Sequence, residues 1–338
     1  MPASLEDVAK LANVSISTVS RVINRRALVN KETQQRVEAA IRELRYRPNA
    51  FARGLMLRKS GIVGVVLPDL HGEFYSEIIR GANQQARESK HNLLLSSTPV
   101  GDDVDSWVSA LGQHALVDGL AIMVSDTMTA GIGPALAELH IPIVVLDDEI
   151  DGVEHDAVII DQREGAVAMM RHLVNTRQAK RIIFVGGLKT NIDSQARYSA
   201  YRHVLHEAQL TLAKSDVYHL DYTYDSAFQL SRQKAPEWAG RNHFVFAAND
   251  EMAAGIIAGA NANSIAVPRD LAVVGFDDTR IAEMTRPSLT TVRVPMSKMG
   301  ATAIKLLCER IEQPERLSTK VVLDAELIVR ESCGNSTG

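Results

Sequence analysis

The chain has 338 residues, 46% of them hydrophobic and 23% charged, with a formal net charge of −4. This is ordinary globular composition, long enough for two or three domains. No apolar run reaches the roughly 18–20 residues of a spanning helix, and Glu6 and Asp7 stand where a secretory core would lie, so a cytoplasmic protein is expected. The charge is uneven: residues 1–60 hold twelve Lys/Arg against five acids, +7, which leaves −11 for the rest. A basic head on an acidic body predicts a polyanion as the partner of the head.

In chain order, Ser4 precedes LEDVAKLA, three residues from Asp7, which is the spacing of a capping box. Leu5, Val8, Ala9 and Ala12 share one helical face. Asn13-Val14-Ser15 breaks the pattern. Ser15 can then cap a second helix over 16–23, with Val19, Val22 and Ile23 inward and Ile16, Ser17, Ser20 and Arg21 on or near the outer face. A third helix is expected from Lys31 to about Arg45, capped by Asn30, with Val37, Ala40, Ile41 and Leu44 buried. Two short helices joined by a tight turn and braced by a third form a helix-turn-helix, whose second helix enters the major groove. Small hydroxyl residues allow close approach to phosphates, and Arg21 can reach guanine O6 and N7 bidentately.

These residues carry a resemblance. LEDVAKLANVSISTVSRVIN followed by KETQQRVEAAIRELRYRPNAFARGL is similar to the DNA-binding head of the lactose/galactose repressor family (LacI/GalR). It departs from that family at Arg45, where a glycine commonly precedes the tyrosine. The resemblance implies DNA contacts from Ser15, Ile16, Ser17, Thr18, Ser20, Arg21 and Asn24. It also implies a hinge helix in RPNAFARGL, with Asn49, Ala52, Arg53 and Leu55 at DNA and Leu55 wedged into the minor groove. So short a helix is unstable alone, and is expected to fold only on DNA within a dimer.

From Gly61 the texture becomes β-α-β-α: IVGVVLP (62–68), a helix over 77–89, HNLLLSS (91–97), a helix near 103–114, VDGLAIMVS (117–125), a helix near 131–139 and IPIVVLD (141–147). The order then restarts with helix 166–176, strand 181–187, helix 196–208, strand 216–222, helix 225–234, strand 243–250, helix 251–263 and strand 271–278. A last helix is expected at about 299–312. Cys308 falls in it, while Cys333 falls in a polar tail; the two have neither metal nor disulfide-framework spacing.

The segments VVLPDLHGEFYSEIIRG, VFAANDEMAAG and VPRDLAVVGFDDTR extend the resemblance through the body. The fold it implies is an N-terminal all-α helix-turn-helix head plus an α/β periplasmic-binding-protein-like core of two doubly wound parallel-sheet lobes. The expected domains are the head at 1–47, a hinge at 48–60, lobe 1 at 61–161 plus about 292–322, lobe 2 at 162–291 plus about 323–330, and a tail at 331–338. Ligands of such sheets bind beyond the C-terminal ends of the strands. Asp147, Arg197, Asn249 and Asp277 are the candidate polar residues there, with Phe74, Tyr75 and Tyr222 as an apolar wall for a sugar. Asp250 is read as a helix cap.

Neither a G-x-S-x-G elbow, a Walker loop nor a zinc spacing occurs, so no catalytic residue, metal or cofactor is expected and the chain is not read as an enzyme. The expected function is a ligand-responsive repressor of carbohydrate or related catabolic genes. Its partners would be a palindromic double-stranded operator, a sugar or sugar phosphate and a second copy of the chain, with no membrane. Two alternatives stand beside it: a catabolite-control regulator with a phosphorylated carrier protein as co-repressor, and a sugar-binding protein whose head does not bind DNA.

Overall fold

A computed structural model describes residues 3–23, 29–46, 59–70, 72–97, 116–123, 132–150, 152 and 154–334. The chain divides into two compact units, Met1–Ser60 and Gly61–Gly338.

The first unit is helical. α1 (Leu5–Ala12) opens on a full capping box: Ser4 Oγ accepts the Asp7 amide at 3.2 Å, and the Ser4 amide donates to Asp7 Oδ2 at 2.8 Å. Asn13 then turns the chain at φ 53°, a region asparagine tolerates. α2 (Ile16–Ile23) starts at Ser15, whose Oγ accepts the Thr18 amide at 3.2 Å. α3 (Lys31–Glu43) starts at Asn30, whose Oδ1 accepts the Thr33 amide at 2.8 Å. Val8, Ala9, Ala12, Val19, Val37 and Ala40 form the core, with Val22, Ile23, Ile41 and Leu44 packed half-buried against it. The third helix stops short of Arg45, which lies at φ 47°. A side chain in that region costs about 1 kcal/mol or more. Arg45→Gly is therefore expected to stabilise the head by about 1 kcal/mol, seen as slower hydrogen exchange at the Val37 amide of the intact chain; unchanged exchange would show that the site is not strained. The hinge expected at 48–60 lies almost wholly outside the described residues, together with Asn24, Asn49, Ala52, Arg53 and Leu55.

The second unit carries two parallel sheets. The first contains β1 (Ile62–Leu67), β2 (Asn92–Ser97), β3 (Gly119–Met123), β4 (Ile143–Leu146), β5 (Asp156–Ile160) and β11 (Lys320–Leu323), in the order β11-β5-β4-β3-β1-β2. The near-continuous apolar run of β1 matches its burial on both faces, as parallel strands require. Helices α4 (Gly72–Glu88), α5 (Ile132–Ala137) and α11 (Met296–Glu312) belong to this lobe. α4 and α11 approach so closely that a Cβ on Gly300 would meet the Ile78 carbonyl oxygen at 2.0 Å.

The second sheet runs β7-β6-β8-β9, from β6 (Arg181–Gly186), β7 (Val217–His219), β8 (His243–Ala247) and β9 (Ala272–Val274). Its helices are α6 (Gln162–Arg171), α7 (Ile192–Glu207), α8 (Tyr224–Trp238), α9 (Asp250–Ala262) and the short α10 (Arg280–Met284). An antiparallel ribbon of β10 (Thr291–Arg293) and β12 (Glu326–Ile328) completes the lobe, tied to it by bridges Val274–Thr290 and Asp277–Arg293. The chain thus passes between the lobes three times: after β5, after β10 and after β11.

Three expectations need correction. Cys333 is not in a solvated tail but 1% exposed. Ser332 Oγ donates to the Val273 carbonyl at 2.6 Å, and Arg177 donates to the carbonyls of Cys333 and Gly334 at 2.9 and 2.7 Å, so residues 331–334 dock on the second lobe. Arg177, just after the end of the helix expected at 166–176, is the residue that holds them. Second, α7 begins at Ile192 under an Asn191 cap, which puts Arg197 in its second turn rather than at its start. Third, β5, β10, β11 and β12 are additional to the strands expected. The helix expected near 103–114 lies outside the described residues.

Candidate functional site

In the head, the outer face of α2 presents Ile16, which is 45% exposed, with Ser17 and Arg21, while Val19 on the opposite side is fully buried. Thr18 and Ser20 are half-buried. Ser15 Oγ lies 2.8 Å from both Ser17 Oγ and Thr18 Oγ1, so the cap also orders the hydroxyls at the start of the helix. A rigid, short, capped helix carrying small hydroxyls and one exposed guanidinium has the dimensions and donors to enter a major groove.

In the core, the polar candidates gather around Arg197. Its side chain is 3% exposed. Nη1 donates to the Ala248 carbonyl, Nη2 donates to Gln162 Oε1 at 2.9 Å and lies 3.6 Å from Asp277 Oδ1, and the guanidinium sits 4.0 Å over the Phe276 ring. Gln162 reaches onward, its Nε2 donating to Asp147 Oδ2 at 3.4 Å, and so links the end of β4 in one lobe to α7 in the other. Asp147 also receives the Ile160 amide at 3.2 Å. Asn249 caps α9, its Oδ1 accepting the Met252 amide at 2.8 Å, and its Nδ2 donates to the Tyr222 carbonyl at 3.1 Å. The Tyr222 hydroxyl donates to Asn191 Oδ1 at 2.5 Å. Phe74 and Tyr75 lie on the first turn of α4, edge to face at 5.2 Å and half-buried against the core.

Asp147, Tyr222 and Asp277 all have positive φ, 64°, 69° and 104°. Such backbone concentrates where the surroundings over-determine a functional geometry. Asp250 is not the helix cap expected, because Asn249 takes that position. It is instead a fully buried brace: Oδ2 accepts the Thr279 amide at 2.7 Å and Oδ1 accepts the Thr291 hydroxyl at 2.6 Å.

The site is acidic. Burial works against the Arg197 charge, and the carboxylates of Asp277, Asp193 and Asp147 more than restore it, so its pKa lies above the ordinary arginine value. Burial pushes Asp147 well above the usual carboxylate range, helped by the nearby charge of Asp193, and burial pushes Asp277 well above it despite Arg197. Burial likewise raises the Tyr222 phenol. Asp277 Oδ1 and Arg197 Nε are buried with no hydrogen-bond partner among the described residues. Paired donors and acceptors left open in a polar interlobe site are what a polyhydroxy ligand would satisfy. Gln162 and Asp193 were missed in the sequence. Gln162 follows β5, a five-residue strand with no local mark of its own, and Asp193 precedes the helix expected at 196–208.

Residues 4–49 match the family described as "Bacterial regulatory proteins, lacI family", and residues 170–333 match a periplasmic binding protein-like domain. The chain is 35% identical to catabolite control protein A of Priestia megaterium over 98% of this chain and 99% of that protein. A solved complex of the transcriptional regulator CelR with cellobiose superposes with a TM-score of 0.72 at 30% identity, over 98% and 99% of the two chains. The lac repressor dimer bound to operator and an anti-inducer superposes with a TM-score of 0.84 at 26% identity, again over 98% and 99%.

Proposed function

The chain belongs to the lacI family of bacterial regulatory proteins, and from that premise we propose that it is a homodimeric repressor whose two heads read a palindromic operator and whose core binds a neutral sugar between its lobes. It is a transcriptional regulator, not an enzyme. The observation that carries the DNA reading is the exposed face of α2, with Ile16, Ser17 and Arg21 outward on a helix capped by Ser15 and anchored by Val19. Arg21 is the residue for a guanine, and the hydroxyls of Ser15, Ser17, Thr18 and Ser20 serve phosphates. The hinge over 48–60 is part of the same proposal, with Leu55 as its wedge.

For the effector, Arg197, Asp277 and Asp147 supply the polar contacts, and Tyr222, Phe74 and Tyr75 the wall. The acidic surroundings of Arg197 narrow the earlier choice between a sugar and a sugar phosphate. Asp147, Asp193 and Asp277 face a single guanidinium whose Nη atoms are already engaged. A phosphate finds no free cation there, whereas carboxyl groups, protonated or ionised, exchange hydrogen bonds with sugar hydroxyls. Asn249 caps α9 through Oδ1 and positions Tyr222 through one Nδ2 hydrogen, which leaves the second for a ligand. The identity to a catabolite control protein supports a second reading, in which a phosphorylated carrier protein acts as co-repressor.

The deciding experiment is selection of random duplexes on the purified chain. A palindrome with a central CG step is expected. Arg21→Ala should then weaken binding to it by about 1–3 kcal/mol and relax one position in each half-site. Selection of no sequence in the absence and presence of a sugar panel and a phosphorylated carrier protein, or an Arg21→Ala variant with unaltered affinity and base preference, would defeat the proposal. Enrichment only with the carrier would favour the second reading. No helix among the described residues is long and apolar enough to cross a membrane, and the proposed place of action is the cytoplasm, where the operator lies.

A further inference from the structure

The acidic cleft has a cationic counterpart on the second lobe. A cavity of about 610 Å³ opens between α7 and the segment leading into the edge strand β7, lined by Lys189, Ser194, Tyr198, Arg202, Leu212 and Lys214, among others. His219 adds an imidazole, and no carboxylate lines it. This is notable in a body that carries −11 overall. Lys189, Arg202 and Lys214 are all exposed and none forms an ion pair among the described residues. Arg202 instead lies 5.8 Å from the Tyr198 ring.

Two independent features point inward. Ser194 is 1% exposed and lines the cavity, its hydroxyl also within reach of the Tyr222 phenol. It stands in the first turn of α7, a helix of 16 residues whose dipole places partial positive charge at this end. The Tyr198 ring, Leu212 and Val217 supply apolar surface beside the charges.

We propose that this cavity is a second small-molecule site, for a phosphate ester of a sugar-sized metabolite. The phosphate would lie between Arg202 and the two lysines, with Ser194 Oγ donating to it, and the C–H face of the ester would rest on Tyr198. Arginine and lysine are the matched donors for phosphate oxygens, and the volume falls in the range of small-ligand sites. The site is separate from the cleft, yet both draw on α7: Ser194, Tyr198 and Arg202 line the outer cavity, while Arg197 serves the cleft.

Titration calorimetry of the full chain with ribose 5-phosphate, ribose and inorganic phosphate tests this. Ribose 5-phosphate should bind, and Arg202→Ala and Lys214→Ala, both substitutions of exposed side chains, should each weaken it about tenfold or more. Ribose should not displace it. The Asp277→Asn variant, which alters the cleft, should move its affinity by less than about twofold. Absence of ester binding at millimolar concentration would overturn the proposal. So would equal affinity for inorganic phosphate, or ester binding that is lost in Asp277→Asn but kept in Arg202→Ala. The last result would place the ester in the cleft and count against the neutral-sugar reading as well; the others leave that reading standing.

Discussion

Replacing Asp156 by alanine is expected to destabilise the core by about 3–5 kcal/mol, the range for removing one partner of a buried ion pair. Asp156 is fully buried at the start of β5. Its carboxylate accepts from Arg310 Nε at 2.7 Å and Nη2 at 3.0 Å, from Arg316 Nη2 at 2.6 Å and from the Thr319 amide at 2.7 Å. Arg310 is 7% exposed and cannot simply turn to water. The same carboxylate ties the end of α11 and the turn after it to the strand beside which β11 must pair. Loss of Asp156 therefore loosens one edge of the first sheet as well as stranding two guanidiniums. Urea unfolding of the intact chain reads the loss as a lower midpoint. Asp156→Asn, which keeps an acceptor for the Thr319 amide, should fall between the two. A midpoint within error of wild type for the alanine variant would mean that the arginines find water or other partners and that the cluster contributes little.

The repressor-like head was legible in sequence nearly residue by residue, because its signals are local. Ser4, Ser15 and Asn30 announce helix starts through side chains that bond to amides three residues on, and the apolar stripe is written at helical spacing. The alternation of the two lobes was legible for the same reason. What escaped was non-local. β5 reads DAVII, only five residues long, and becomes a strand because β4 and β11 flank it. Docking of residues 331–334 depends on Arg177, more than 150 positions away. In the cleft, Arg197, Asp277 and Asp147 were found as polar residues at or near strand ends. Gln162, which bridges Arg197 to Asp147, has no local mark, and the division of labour between Asn249 as cap and Asp250 as brace is decided by Thr279 and Thr291 rather than by the sequence around α9.

That brace gives the core a pH dependence of definite sign. Burial pushes the Asp250 carboxyl up to about 7, although Thr291 and Thr279 donate to it. An unfolded aspartate releases its proton near 4. Between these values the folded state binds more protons than the unfolded one, so stability falls as pH rises. The contribution is fully present below about pH 4 and lost as the pH climbs through about 7, with a span of up to about 4 kcal/mol. Asp147 and Asp277, whose carboxyls are also raised, act in the same direction. Asp250→Asn keeps an oxygen for the Thr279 amide and cannot ionise, and is expected to flatten the decline of stability between pH 4 and 7 while leaving the slope due to the other two. Denaturation midpoints taken across that range in wild type and variant check this, and parallel pH profiles would show that Asp250 does not titrate there. The consequence reaches the cleft, because Asp250 bonds to Thr279, two residues after Asp277, and to Thr291. Ionisation of the brace disturbs the loop that aims Asp277 at Arg197, so effector affinity in the variant should vary less with pH than in wild type.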